Sequence, residues 1–361
     1  MMRRLRFFFI LILLCVAASP QFFAKGKKKK KTRAIKTSFE VFTFYDNNIL
    51  RYSDYYIDKF LSGENGGRFH VNTFDDLIIA PQATIAYGKR FFRGSYSEIS
   101  FGAKYNKFFV NSIKDWGKYA FALRHVFPTR TTFSFEYSFI PKYYIRHYRD
   151  KEWVEAYGYG EDAFKEYSFR KDDFSFVLKQ RVMKVIELKL YYDYGKYYYN
   201  KYFTEYDATR NLVGARMFYD FSRKLKVNFG VKYSFSDARG KKNVDPTYDE
   251  YKFYFGFTFV PPKIYGFGNS VTALAIYGTR NYLSPFSPAN DPVHSGRNDE
   301  YFQMFFNYKF SITKRSDLIF YANYNKRDSG TSWSETNDFV AREKSFDQFK
   351  IGVKYQYEIK F

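Results

Sequence analysis

The sequence predicts an all-β chain closed into an antiparallel transmembrane β-barrel of about 14 strands, with 12 or 16 as the alternatives. Three observations carry this. Segments of about a dozen residues alternate apolar and polar side chains with a period of two. Phe, Tyr and Trp supply 24% of the chain, yet the mean hydropathy is only −0.50. A barrel reconciles the two, because one residue in two faces lipid and aromatic side chains gather at both interfaces. The connections, finally, alternate long and short along the whole chain.

The leader comes first. Arg3, Arg4 and Arg6 precede the apolar run Phe7–Ala18 and then small residues, so 1–24 reads as a secretory signal peptide. The run is too short to span a bilayer as a helix, and no later run reaches the eighteen or so residues a span needs. Cleavage removes Cys15, the one cysteine, and leaves no disulfide. Residues 25–36 (KGKKKKKTRAIK) read as a disordered basic periplasmic tail, and 37–361 as the barrel. The formal charge of +22 overstates the barrel's own: residues 1–36 hold eleven bases and no acid, leaving 48 bases against 37 acids beyond them. Behind a signal peptide such a charge does not point to nucleic acid, and none is expected as a partner.

Strands are expected near 37–46, 76–88, 95–106, 117–127, 130–145, 168–180, 184–198, 208–221, 224–236, 250–260, 269–282, 299–312, 316–327 and 347–361. The clearest need no scale. Leu225, Val227, Phe229, Val231, Tyr233 and Phe235 alternate with Lys226, Asn228, Gly230, Lys232 and Ser234. In the last segment Phe349, Ile351, Val353, Tyr355, Tyr357, Ile359 and Phe361 share one face, and Lys350, Gly352, Lys354, Gln356, Glu358 and Lys360 the other. Seven long loops and six short turns place both chain ends on the short-turn side, as in bacterial outer-membrane barrels. The short turns carry bases and no acid, whereas acids collect in the long loops.

Catalytic and metal chemistry find little support. His70, His125, His147 and His294 have no ligand spacing. No nucleophile elbow or phosphate loop is present, and no cofactor or metal is expected. A pairing of His125 with a neighbouring-strand serine such as Ser134 is the one enzyme-like arrangement considered. Acid groups such as Asp54/Asp58 and Asp291/Asp299/Glu300 lack the spacing of a calcium loop.

If the apolar face meets lipid, the lumen wall receives Lys104, Arg124, Lys179, Lys189, Arg216, Lys226, Lys232, Lys252, Lys309, Lys350 and Lys354. Against them stand Glu98, Glu136, Glu187, Asp193, Asp220 and Glu358, with glycines at 102, 195, 214, 230, 256 and 352. The acidic, aromatic third loop (148–167) offers Glu152, Glu155, Glu161 and Asp162 as a constriction if it folds inward against this wall.

Two short stretches carry resemblances. Lys350-x-Gly352-x-x-Tyr355-x-Tyr357 with terminal Phe361 resembles the signal by which barrel-assembly machinery recognises outer-membrane clients. Phe44–Arg51 (FYDNNILR) resembles the Tyr-Asp-x-Asn-Ile opening of poorly characterised, porin-like Gram-negative barrels, some tied to polysaccharide or lipoprotein export. They imply the bacterial outer membrane as location, and as partners the assembly machinery, outer-membrane lipid and lipopolysaccharide. The function expected is a passive channel for small polar or anionic solutes. The alternative is a non-conducting surface or export-associated barrel whose loops bind a partner.

Overall fold

The computed structural model describes residues 33–64, 66–91, 94–241 and 243–361. The signal-peptide reading, and most of the basic tail, lie outside these residues. Fourteen antiparallel strands close into one barrel: β1 (Arg33–Asp46), β2 (Asp76–Arg90), β3 (Tyr96–Phe108), β4 (Trp116–Val126), β5 (Thr131–Arg149), β6 (Phe164–Arg181), β7 (Ile186–Tyr199), β8 (Ala208–Asp220), β9 (Leu225–Ala238), β10 (Tyr248–Phe259), β11 (Gly268–Tyr282), β12 (Arg297–Ser311), β13 (Ser316–Thr331) and β14 (Phe346–Lys360). β1 begins at Arg33, so the last four residues assigned to the tail are already strand.

Each strand pairs with its chain neighbours, and β14 returns to β1 in a register running from Lys36↔Lys360 through Phe44↔Gly352 to Asp46↔Lys350. Closure matters physically, because an open edge in hydrocarbon would leave backbone N–H and C=O groups without partners. The loops at one end span 47–75, 109–115, 150–163, 200–207, 239–247, 283–296 and 332–345; the turns at the other are four or five residues long except 260–267, which matches the shorter loops. Three helices ride on the loops: α1 (Asp54–Leu61) on the first, α2 (Lys151–Tyr157) on the third and α3 (Ser334–Lys344) on the seventh.

Period two sorts the side chains. Phe39, Val41, Ile85, Phe101, Phe253, Met304, Phe306, Ile351 and Val353 lie exposed on the outside, Ile85 at 59% and Ile351 at 52%. This is the lipid-facing surface of a barrel rather than a defect of burial. Their neighbours in sequence point the other way.

β5 and β6 are the longest strands. Their ladder shifts register between Ile140 and Tyr143 and again between Tyr144 and Arg146. Pro141 sits in the first shift, where its missing N–H costs no ladder bond.

Conventional burial is found at the long-loop end. Ile49, Leu50, Tyr52 and Tyr56 of the first loop pack with Ile78, Phe108 and Tyr144 from the outer ends of β2, β3 and β5. The first loop therefore turns into the barrel mouth and fills its β1–β5 side. Asn48 pins the entry: its amide donates to the carbonyls of Tyr52 (2.7 Å) and Asp347 (2.9 Å).

The two faces of one strand respond differently to charge. Val353→Lys, midway along β14 on the outside, should destabilise the barrel by roughly 2–4 kcal/mol. Gln356→Lys on the inside should change it little. Urea-dependent folding into lipid vesicles measures both.

Candidate functional site: the lumen wall and its outer mouth

Apart from the two shifts near the outer end of β5–β6, the register carries the lumen face from strand to strand. Lys104 opposes Gln82 and Lys118, Lys189 opposes Lys179 and Arg216, and Lys232 opposes Gly214 and Lys252. Lys309 and Lys354 meet across Ile319, and Arg124 sits between Glu98 and Ser134. All eleven bases expected at the wall lie on this face.

They divide by partner. Lys179 pairs with Glu187 (2.9 Å), Lys226 with Asp220 (3.1 Å) and Lys252 with Glu250 (2.7 Å). Lys309 pairs with Asp317 (3.6 Å), Lys350 with Asp46 (2.8 Å) and Lys354 with Glu40 (3.3 Å). Among the described residues, no carboxylate lies within ion-pair distance of Lys104, Arg124, Lys189, Arg216 or Lys232. Three of these five gather on β7–β9 and lean on aromatic faces. Lys189 Nζ stands 4.4 Å from the Phe218 ring centre and Lys232 Nζ 4.4 Å from that of Tyr191, while Arg216 covers Tyr254 at 5.1 Å. Cation–π contact holds a charge in place without neutralising it.

Glycine makes room for these stems. A Cβ on Gly214 would stand 2.5 Å from Lys232 Cγ, and one on Gly278 2.9 Å from Lys252 Cγ. The bases therefore lie along the wall instead of standing out across the lumen.

The third loop does not bring its acids to this wall. Glu152, Glu155, Glu161 and Asp162 are exposed, and Glu152 pairs with Lys241 of the fifth loop at 2.8 Å. Lys151 Nζ donates to Asn290 O of the sixth loop (3.2 Å). The loop reaches its neighbours across the top, and the segment that enters the mouth is the first loop instead. Strand periodicity carries no information about such loop packing.

The structure also places the other residues singled out in the sequence. His125 Nδ1 meets Ser97 Oγ at 2.7 Å, its directly opposed residue on the outer face, while Ser134 faces inward. Asp291 is hydrogen-bonded by His294 (2.8 Å), whose imidazole pKa is pushed down by burial, and Asp299 is paired with Arg297 (2.7 Å), so both acids are engaged in a buried layer. Along β14, Lys350 and Gly352 face inward and Tyr355 outward, and the Phe361 N–H donates to Ile35 O at 2.9 Å.

At the mouth the loops turn bases inward. Arg68 and Glu343, both almost wholly buried, pair at 3.2 Å and join the first loop to α3. The Tyr56 hydroxyl also donates to Glu343. Burial works against the Glu343 carboxylate, but Arg68 and Lys344 prevail and hold its pKa below the ordinary range. Arg146 Nη2 donates to Leu50 O (2.7 Å) beneath the Tyr52 ring, and Lys114 Nζ donates to Tyr144 O (3.0 Å) and Ile145 O (3.1 Å).

Adjoining this wedge, and sharing Arg146 with it, lies a cavity of about 280 Å³. Five cations line it: Arg146, Arg280, Arg297, Arg327 and Lys344. Tyrosines from β5–β7, β10, β11 and the fourth loop supply most of the remaining wall. Isolated Arg and Tyr residues near strand ends are the only sequence signal of this cavity, and nothing in one dimension groups them.

A closed fourteen-stranded barrel with an apolar exterior and a charged interior defines an outer-membrane β-barrel protein of porin-like architecture. No family model and no curated protein matches the chain. Among solved structures it is similar to an anion-selective porin from Comamonas acidovorans, with 8% identity, a TM-score of 0.43 and coverage of 91% of this chain and 99% of that one. It is similar to OmpT of Vibrio cholerae, with 10% identity, a TM-score of 0.44 and coverage of 92% and 99%. OprD from Pseudomonas aeruginosa follows with 8% identity, a TM-score of 0.37 and coverage of 91% and 94%. At such overlap no property of these proteins transfers.

Lys114 makes the wedge sensitive to pH. Burial pushes its ammonium down to about 7, and Arg146 and Arg51 add to the shift. With the loop open and the amine hydrated, the pKa returns toward 10.5. Between those values the packed form binds fewer protons, so packing strengthens as pH rises and is weakest below 7. A nitroxide on Ser62→Cys should show a falling mobile fraction from pH 6 to pH 9. Lys114→Met should flatten that change.

Proposed function

We infer that this chain is a passive outer-membrane channel for small polar solutes, with a preference for anions. The observation that carries the reading is the uneven pairing on the wall. Glu40, Asp46, Glu98, Glu136, Glu187, Asp220 and Asp317 each have a lysine or arginine partner, and Asp193 is the exception, meeting Ser175 Oγ instead. Five bases, Lys104, Arg124, Lys189, Arg216 and Lys232, have no carboxylate within ion-pair distance among the described residues. Acids already neutralised do little to attract cations, and free bases favour anions in a water-filled pore. No reaction is assigned, because the Ser97–His125 pair is on the outer face, away from the lumen. Lipid and lipopolysaccharide are the partners proposed for the exterior, and the assembly machinery for the β14 stretch ending at Phe361.

The second reading is a non-conducting surface or export-associated barrel whose loops hold a partner. The first-loop wedge, which fills one side of the mouth, is the feature that favours it.

Single-channel current in a planar bilayer under a salt gradient separates the two. A channel gives steady openings and a reversal potential on the anion side. The double change Lys189→Glu with Lys232→Glu should move that potential toward cation preference. A folded barrel that never conducts removes the channel reading. Deleting residues 152–161 should leave conductance little changed, since the third loop's acids are exposed and tied to neighbouring loops rather than to the wall; a clear rise would mean that the loop narrows the path.

A further inference from the structure

The outer-mouth cavity has a composition that the wall as a whole does not share. Its lining contains five cations and no carboxylate. Two of the cations are already satisfied from behind: Arg280 Nη2 by Glu250 at 2.7 Å and Arg297 by both oxygens of Asp299 at 2.7 Å. The other three find only neutral partners. Arg146 donates to Leu50 O, Arg327 Nε to Lys344 O (2.6 Å), and Lys344 Nζ to the Tyr148 hydroxyl (3.2 Å). Each donor set retains N–H groups beyond those contacts. Among the described residues none of the three has a carboxylate within ion-pair distance, and Asp299 and Glu343 act on Arg327 and Lys344 only from farther off. An anion taken up between them supplies the close partner they lack, and a guanidinium fork fits the two oxygens of a carboxylate.

The rest of the lining specifies what carries the charge. Tyr148, Tyr167, Tyr199, Tyr206, Tyr248 and Tyr282 line one space. They are held by one another: Tyr167 stacks on Tyr199 at 5.0 Å, and Tyr206 meets Tyr167 edge-on at 5.2 Å. Arg280 lies over Tyr248 (4.0 Å) and Arg297 over Tyr282 (4.3 Å), which fixes those rings from the other side. A wall of locked aromatic faces with hydroxyl rims suits a flat or puckered ring that stacks and hydrogen-bonds at once. At about 280 Å³ the space is at the small end of ligand pockets, which begin at roughly 300 Å³. It takes a single ring.

We propose that this cavity is a binding site for a small carboxylate carried on one ring, with Arg146, Arg327 and Lys344 receiving the carboxylate and the tyrosines receiving the ring. Two sources share that chemistry, a sugar acid and an aromatic acid. The site deepens the channel reading by naming a class of solute, but it does not need conduction to be tested.

The test is calorimetric titration of the purified full barrel in detergent micelles. The titrants are glucuronate, 4-hydroxybenzoate, their neutral counterparts glucose and phenol, and the ringless anion acetate. At least one ring carboxylate should saturate one site per barrel, at least tenfold more tightly than its neutral counterpart and than acetate. Which of the two binds identifies the source. Arg327→Gln and Lys344→Gln should each weaken it about tenfold. Lys326→Gln, the adjacent base paired with Asp328, should leave it unchanged. Lys344 ends a loop helix, so its variant carries the test even if the Arg327 variant does not fold. Absence of saturable binding by both ring carboxylates, equal binding of glucose or phenol, or indifference to both variants overturns the site. A silent barrel that binds keeps the site and loses the channel, and a conducting barrel that does not bind does the reverse.

Discussion

The β1–β14 seam is the constraint on which everything else rests. Hydrocarbon offers no hydrogen-bond partner, so the backbone must satisfy itself around a closed ring. Pairing Phe44 with Gly352 and Asp46 with Lys350 completes that ring and fixes the parity of every strand in it. A slip of one residue would exchange the lipid and lumen faces of β14, putting Lys350 and Lys354 into lipid and Ile351 and Val353 into the lumen. Gly352 helps hold the match, since any side chain there would collide with Phe44.

Once parity is set, the interior becomes a question of which charges meet. Neighbouring strands bring Lys179 to Glu187 and Lys226 to Asp220, and such pairs fill space while cancelling charge. Where the register instead sets Lys189 opposite Arg216, and Lys232 opposite a glycine, charge is left over. Aromatic faces keep those bases ordered without a counter-ion. The mouth continues the theme with fewer acids and more tyrosines.

Period two made the barrel readable. β9, β12 and β14 announce both faces residue by residue, and short turns such as Phe127–Arg130 mark the reversals. Boundaries slipped where that logic lapses. β5 runs to Arg149, four residues beyond its expected end, because a hairpin rising above lipid has no apolar face to display. The free and paired bases could not be separated beforehand, since Lys354 finds Glu40 only through the closing seam. The cavity was hidden for a stronger reason. Its residues come from nine strands and four long loops, and a loop's fold is set by what it packs on rather than by any period. The first-loop wedge depends likewise on Glu343, some 275 positions from Arg68.

The loop layer also has a direction. Glu152, Glu155, Glu161 and Asp162 of the third loop are exposed, while Lys114, Arg68 and Arg146 are buried and Arg146 and Lys344 line the cavity. Negative over positive along the axis is a fixed electric asymmetry, and the basic turns at the far rim do not mirror it. An ion arriving from outside crosses the repulsive and attractive zones in the opposite order from one arriving from the periplasm. A barrel that conducts with such a profile rectifies: equal voltages of opposite sign drive unequal currents.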